Sequence, residues 1–78
     1  MDRITVNKDI MVGKPIIRNT RITVEQILRW LAQGQTTEEI IENYPQLQPE
    51  DIQAALGYAA ETMKDEQVFA RADVEYAG

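Results

Sequence analysis

Residues 23–45, TVEQILRWLAQGQTTEEIIENYP, carry two helix-start signals and two helix-stop signals in succession. The first helix begins with a capping-box pattern at 23–26, in which a threonine hydroxyl accepts a hydrogen bond from an unpaired backbone amide. Gly34 follows the last apolar residues of this segment, where a left-handed conformation readily ends a helix. A second capping box at 36–39 and the helix breaker Pro45 bound another helix of barely two turns. The segment therefore predicts two short helices in tandem.

A third helix is predicted over 49–64. Pro49 suits its first position, where the missing amide would have no partner in any case. Glu50 and Asp51 follow, where negative charge interacts favourably with the helix dipole. The apolar stripes expected to pack together are Val24, Ile27, Leu28 and Leu31 in the first helix, Ile40, Ile41 and Tyr44 in the second, and Ile52, Ala55, Leu56, Ala59 and Met63 in the third.

The N-terminal segment, residues 1–22, has the period of a β-strand instead. Ile4 and Val6 alternate with polar residues, and short apolar pieces follow, separated by turn-forming residues such as Asn19. We predict two or three short strands in this arm. The fold class is mainly α: a three-helix, helix-turn-helix-like bundle over 1–66 with a short N-terminal hairpin.

Residues 67–78 form a separate C-terminal tail. Their apolar residues alternate with polar ones, with Phe69 as the exception, which favours a strand. Chain ends are also loosely held unless another element binds them. A strand and a disordered tail therefore both stay open.

A chain of 78 residues contains one small domain. Its core is marginal because so short a chain buries only about 60% of its unfolded surface, and a homodimer would supply the missing stability. The chain has no cysteine, histidine or serine, so the commonest nucleophiles, general bases and zinc ligands are excluded. We expect no enzymatic activity, no catalytic residue, no metal and no cofactor. No apolar run is long enough for a membrane span or a signal peptide, which favours a cytoplasmic protein.

The net charge of −5 conceals an asymmetry. Residues 1–30 carry six basic and three acidic groups, a net charge of +3, whereas 31–78 carry two basic and ten acidic groups, a net charge of −8. The exposed side of the third helix is expected to offer Glu50, Asp51 and Glu61, which phosphates would repel. If the protein binds DNA, the N-terminal arm must therefore supply the electrostatic attraction.

Residues 13–24, GKPIIRNTRITV, resemble the signature of the prokaryotic family catalogued as domain of unknown function 433. The Gly-Lys-Pro and Arg-x-Thr-Arg elements are its most specific part, and the resemblance covers about residues 4–60. The similar spacing continues through Ile27-Leu28, Leu31-Ala-Gln-Gly34, Glu38-Glu39-Ile40, Tyr44-Pro45-Gln-Leu47, Glu50-Asp51-Ile52 and Ala54-Ala55-Leu56-Gly-Tyr58-Ala59.

This resemblance implies a helix-turn-helix-like fold and an antitoxin role in a VapBC-like pair whose toxin is a PIN-like ribonuclease. Such antitoxins bind operator DNA and neutralise the toxin through their C-terminal part. Two departures from the family pattern are Gln48, which predicts a weaker cap for the third helix, and Asn19, which replaces a frequent glycine. The candidate DNA-binding residues are Lys14, Arg18, Asn19, Thr20 and Arg21.

Trp30 is the only tryptophan and lies at the flank of the first helix's apolar stripe. It either covers the edge of its own core or anchors an interface, a role in which tryptophan is enriched. The candidate partner-binding residues are Trp30, Val68, Phe69, Val74 and Tyr76. The alternative to the antitoxin hypothesis is a protein-interaction module that never binds DNA, which the acidic third helix favours.

Overall fold

The computed structural model describes residues 2–64. The elements in chain order are β1 (Ile4–Val6), β2 (Pro15–Ile17), α1 (Val24–Ala32), α2 (Thr37–Asn43) and α3 (Pro49–Met63). The predicted mainly α fold with three helices and an N-terminal hairpin is confirmed. The tail, residues 67–78, lies outside the described residues, and the domain boundary at residue 66 stays a prediction. Among residues 2–64, no helix is long and apolar enough to cross a membrane.

The two strands form an antiparallel hairpin in which Ile4 pairs with Ile17 and Val6 with Pro15. Ile4 and Ile17 are both buried and face the helices. The strand predicted at the start of the arm is present, but Val6, the other apolar residue of the predicted alternation, is 56% exposed, so only Ile4 of the two joins the core. The hairpin contacts α1 through β2 and α3 through β1, so it forms one wall of the core.

The apolar run before Gly13 forms a turn between β1 and β2 instead of a third strand. Met11, Val12 and Gly13 have φ values of 52°, 58° and 80°, all in the left-handed region. The amide of Lys14 donates to the carbonyl of Met11 at 3.1 Å and closes the turn. A β-branched residue is strained in this region, and the Val12 side chain is 91% exposed. Closing the hairpin thus overrides the local preference of valine.

The predicted helix starts of α1 and α2 are confirmed. Thr23 Oγ1 accepts from the amide of Gln26 at 2.9 Å. In α2 the capping box is complete, because Thr36 Oγ1 accepts from the amide of Glu39 at 3.1 Å and the Glu39 carboxylate accepts from the amide of Thr36 at 2.8 Å. Gly34 follows α1 with a φ of 97°, as its position predicts.

The start of α3 is held by Asp51. Its Oδ2 accepts from the amide of Gln48 at 2.8 Å, and its Oδ1 forms an ion pair with Arg3 Nη1 at 2.9 Å. The expectation that Asp51 lies on the exposed side of the helix is wrong, because the residue is only 5% exposed. Its carboxylate is buried because both oxygens have partners.

The core is a single apolar cluster between the hairpin and the helices. Leu56 and Met63, predicted to face it, are 42% and 61% exposed. Leu56 lies about 100° around α3 from the buried Ala55, at the flank of the stripe. Met63 lies in the last turn of α3 and lines an open groove with Val24 and Leu28 of α1. The buried members of the core are Ile4, Ile17, Val24, Ile27, Ile40, Leu47, Ile52 and Ala55.

Candidate nucleic-acid interface

The loop between β2 and α1, residues 18–22, is tightly closed by hydrogen bonds. The Thr20 hydroxyl donates to the carbonyl of Ile17 at 2.7 Å and accepts from the amide of Ile22 at 3.0 Å. The amide of Ile17 donates in turn to the carbonyl of Ile22 at 2.9 Å. Because a hydroxyl has one proton, Thr20 has no donor left for a ligand. It shapes the loop.

Asn19 lies at the tip of this loop with a φ of 68°. Asparagine tolerates the left-handed region better than other residues with a side chain, which explains how it replaces glycine here. Its amide side chain is exposed and can donate or accept a hydrogen bond. The loop thus presents one neutral polar group at its tip.

Arg18 and Arg21 are both exposed on either side of that tip. Arg18 Nε donates to the backbone carbonyl of Asp2 at 2.5 Å, which fixes the direction of the guanidinium and leaves its four other N–H groups for a ligand. Within residues 2–64, neither arginine forms an ion pair with a carboxylate. The loop therefore carries two positive charges that the described part of the chain does not neutralise.

Four of the five predicted DNA-binding residues line one shallow cleft of about 540 Å³. Its other wall consists of Thr5, Ile10 and Ile16. The structure therefore brings together the loop residues Arg18, Asn19, Thr20 and Arg21.

Lys14, the fifth predicted residue, is separate from this cleft. Its Nζ lies 3.3 Å from Glu25 Oε1, and Arg29 Nη2 binds the other oxygen of the same carboxylate at 2.6 Å. The hydrogen bond from Arg29, and after it that from Lys14, holds the pKa of Glu25 below its ordinary value. The positive charge of Lys14 is thus shared with an exposed ion-pair group at the start of α1.

A second cleft, of about 360 Å³, joins the loop to the start of α3. Arg18 and Asn19 form one side of it, and Arg3 and Gln48 form the other, together with Gln46. Arg3 Nη1 donates to Gln48 Oε1 at 3.3 Å. The sequence pattern did not identify Arg3, Gln46 or Gln48 as site residues. Only the pairing of β1 with β2 brings residue 3 beside residue 18, where the amide of Arg18 donates to the carbonyl of Arg3 at 2.8 Å.

Trp30 is half-buried and stacks on Tyr44 of the α2 terminus, with ring centroids 4.5 Å apart and planes inclined by 20°. The pair lines a third cleft of about 360 Å³, which also contains Arg21 and Met11. Trp30 therefore packs against its own domain and still has one face at the surface. The other predicted partner-binding residues, Val68, Phe69, Val74 and Tyr76, lie outside the described residues.

The chain is similar to proteins of one described family. The profile of "Protein of unknown function (DUF433)" matches residues 4–59. The "Uncharacterized protein y4eO" of Sinorhizobium fredii (strain NBRC 101917 / NGR234) is 36% identical over 56 residues, which make up 72% of this chain and 25% of that protein. The chain thus spans about a quarter of that relative's length. The crystal structure of a DUF433 member from Anabaena variabilis ATCC 29413 superposes with a TM-score of 0.77 and 30% identity, over 91% of this chain and 71% of that one.

Proposed function

The chain belongs to the DUF433 family of proteins of unknown function, and from this premise we propose that it is an antitoxin-like protein that binds operator DNA as a homodimer. In this proposal residues 67–78 engage a PIN-like ribonuclease and neutralise it. The protein itself performs no chemical step and uses no cofactor. Its two activities are binding activities, one for DNA and one for a protein.

The observation that carries the DNA-binding proposal is the loop at 18–22. Arg18 and Arg21 are exposed and form no ion pair within residues 2–64. Arginine donates in a planar fork that matches phosphate oxygens and the edge of guanine. Internal hydrogen bonds already fix the backbone of this loop, so binding costs little backbone entropy.

The position of the loop also supports this proposal. In a helix-turn-helix unit, the N-terminal residues of the recognition helix approach the base edges. Here Arg18 and Asn19 share a cleft with Gln48 and Asp51 at the start of α3. Arg3 pairs with Asp51 and so offsets the one buried acidic charge at that helix start. The loop thus adds positive charge where the helix itself has none.

A homodimer would carry two such loops. Dimeric helix-turn-helix proteins bind two half-sites about 34 Å apart, one helical turn of DNA. Doubling the number of arginines that contact phosphates also doubles their contribution to the salt dependence of binding. We therefore expect the operator DNA to be palindromic, with one half-site for each protomer.

Titration of a labelled duplex from the protein's own upstream region, at salt concentrations from 50 to about 300 mM, tests DNA binding. We expect the affinity to fall steeply as salt rises. The double variant Arg18→Ala/Arg21→Ala should lower the affinity and reduce the slope of log K against log salt by about two per protomer. Wild-type binding by this variant would contradict the proposed interface.

The matched control is Arg29→Ala/Lys64→Ala. It removes the same number of positive charges from exposed positions that line neither cleft beside the loop. If both double variants lose the same affinity, the attraction depends on net charge and not on the loop. The comparison therefore separates a specific interface from general electrostatics.

The alternative is a protein-interaction module that does not bind DNA. The observation in its favour is the start of α3, where Glu50 is exposed and would face phosphates in a major-groove complex. No binding to the upstream duplex at any salt concentration would favour this module. A lone gene with no neighbouring nuclease frame would do the same.

The ribonuclease partnership is tested separately from DNA binding. The product of an adjacent reading frame is assayed for RNA cleavage with and without this chain. If the tail imitates nucleic acid in a basic cleft of the ribonuclease, isosteric neutralisation of the tail acids should weaken inhibition. The double variant Arg18→Ala/Arg21→Ala should leave inhibition unchanged. Full inhibition by the neutralised chain would rule out the mimicry. The tail acids to be replaced by Asn or Gln are Asp65, Glu66, Asp73 and Glu75.

A further inference from the structure

The apolar stripe of α3 ends in a groove that the described elements leave open. The groove has a volume of about 270 Å³. Val24 and Leu28 of α1 form one side, and Tyr58, Ala59 and Met63 of α3 form the other. It is continuous with the core, because Val24 is also a member of the buried cluster.

We propose that residues 65–78 of the same chain fold back and cover this groove, with Val68 and Phe69 as the side chains that fill it. The inference concerns the protein without a partner and does not depend on the proposed function. It assigns a binding surface to the tail within the domain itself.

The described part of the chain ends beside the groove. Met63 lines the groove, and the remaining fourteen residues begin after Lys64. Between Met63 and Val68 an extended chain reaches up to about 17 Å, at 3.3–3.6 Å per residue. The groove occupies about 7.5 Å along α3, the rise between Tyr58 and Met63. The tail can therefore reverse direction and still span the groove.

The order of residues in the tail also favours this occupant. The segment begins with three polar residues, Asp65, Glu66 and Gln67. Three residues are a common length for a connection between two packed elements. The apolar pair Val68-Phe69 follows directly. A polar connection followed by apolar side chains is the pattern of a segment that returns to a core.

Charge also favours the tail as the occupant. Glu25 is the only charged side chain among the residues that line the groove, and both Lys14 and Arg29 bind its carboxylate. This rim of the groove therefore carries a net charge of +1. Residues 65–78 carry four acids and one base, a net charge of −3, so a positive rim meets an acidic segment.

Methyl NMR on the full chain labelled at methionine tests this proposal. The chain has three methionines, of which Met63 lines the groove and Met11 lies in the hairpin turn. Phe69→Ser should shift the Met63 methyl signal and leave that of Met11 unchanged, because an aromatic ring leaves the groove. Gln67→Ser is the matched control and should move Met63 less. Equal effects of the two substitutions on Met63 would overturn the proposal.

A spin label distinguishes the chain's own tail from that of a second copy. Since the protein has no cysteine, Ala72→Cys gives a single attachment site for a nitroxide. In a chain that carries both the nitroxide and the methyl label, the Met63 signal should broaden selectively, at every protein concentration. Broadening of the Met63 signal in a mixture of nitroxide-labelled and methyl-labelled chains, where the two labels never share a chain, would assign the groove to a second copy and overturn the proposal. No selective broadening in either sample would overturn it as well.

Discussion

Arg3, directly before β1, and Asp51 in α3 are 48 positions apart in the sequence and form an ion pair of 2.9 Å between Nη1 and Oδ1. The contact connects the hairpin to the first turn of the longest helix. The same carboxylate caps that helix through the amide of Gln48. One side chain thus fixes both the start of α3 and its position against β1.

Asp51→Ala should lower the free energy of unfolding by about 2 kcal/mol, because it removes a helix cap worth about 1 kcal/mol and a charge-assisted hydrogen bond. Glu50→Ala is the control, since Glu50 is acidic, exposed and in the same helical turn. Urea unfolding followed by circular dichroism measures both variants. Equal loss of stability in the two would show that only the helix dipole matters.

Val12→Asn should raise the free energy of unfolding by about 1 kcal/mol. Valine at a φ of 58° is strained, whereas asparagine tolerates this conformation. Little packing is lost, because the side chain is 91% exposed. Val6→Asn at an exposed strand position is the control and should destabilise, since asparagine is disfavoured in strands. A loss of stability in Val12→Asn would contradict the left-handed turn.

Glu25 makes stability depend on pH in a defined direction. Arg29 and Lys14 lower the pKa of Glu25 in the folded protein, so its contribution is present above the ordinary pKa of about 4.3 and is lost as pH falls through the lowered value. Glu25→Gln should therefore be less stable than the parent at pH 6 and equally stable below the folded pKa. Urea midpoints across this range measure the difference, and 1 M salt should reduce it because the group is exposed. A difference independent of pH would point to packing.

Leu47→Ala should lower the free energy of unfolding by about 3 kcal/mol. Leu47 lies between α2 and α3 and is 2% exposed, so truncation leaves a cavity and removes buried surface. Leu56→Ala deletes the same atoms from a side chain that is 42% exposed and should lose less than half as much. Thermal and urea unfolding compare the two variants. Similar losses would mean that Leu56 is covered in solution.

The parts of the fold that depend on neighbouring residues were predictable. The caps at Thr23 and Thr36 and the stop at Gly34 act within one helical turn, so the sequence pattern is enough to place them. The turn at Val12 was not predictable, because the constraint comes from closing the hairpin. The ion pair between Arg3 and Asp51 was missed for a related reason, since it needs the three-dimensional arrangement of β1 and α3.

The candidate interface was likewise predictable only in part. The loop cations were predicted together and line one cleft. Lys14, four residues earlier, belongs to the group around Glu25, because the turn into β2 directs it to the start of α1. Leu56 and Met63 fit the helical period, but Leu56 lies at the flank of the buried stripe and Met63 lines an open groove. The period identifies a face of a helix and does not give the width or the length of the part of that face that is covered.

The stacking of Trp30 on Tyr44 provides an intrinsic optical reporter. Because this indole is the only one in the chain and its neighbour ring ends α2, its emission responds when α2 separates from α1. Arg21 lines the same cleft, so a ligand that engages the loop changes the surroundings of the same fluorophore. Folding and binding can thus be followed in the unlabelled protein by one spectroscopic signal.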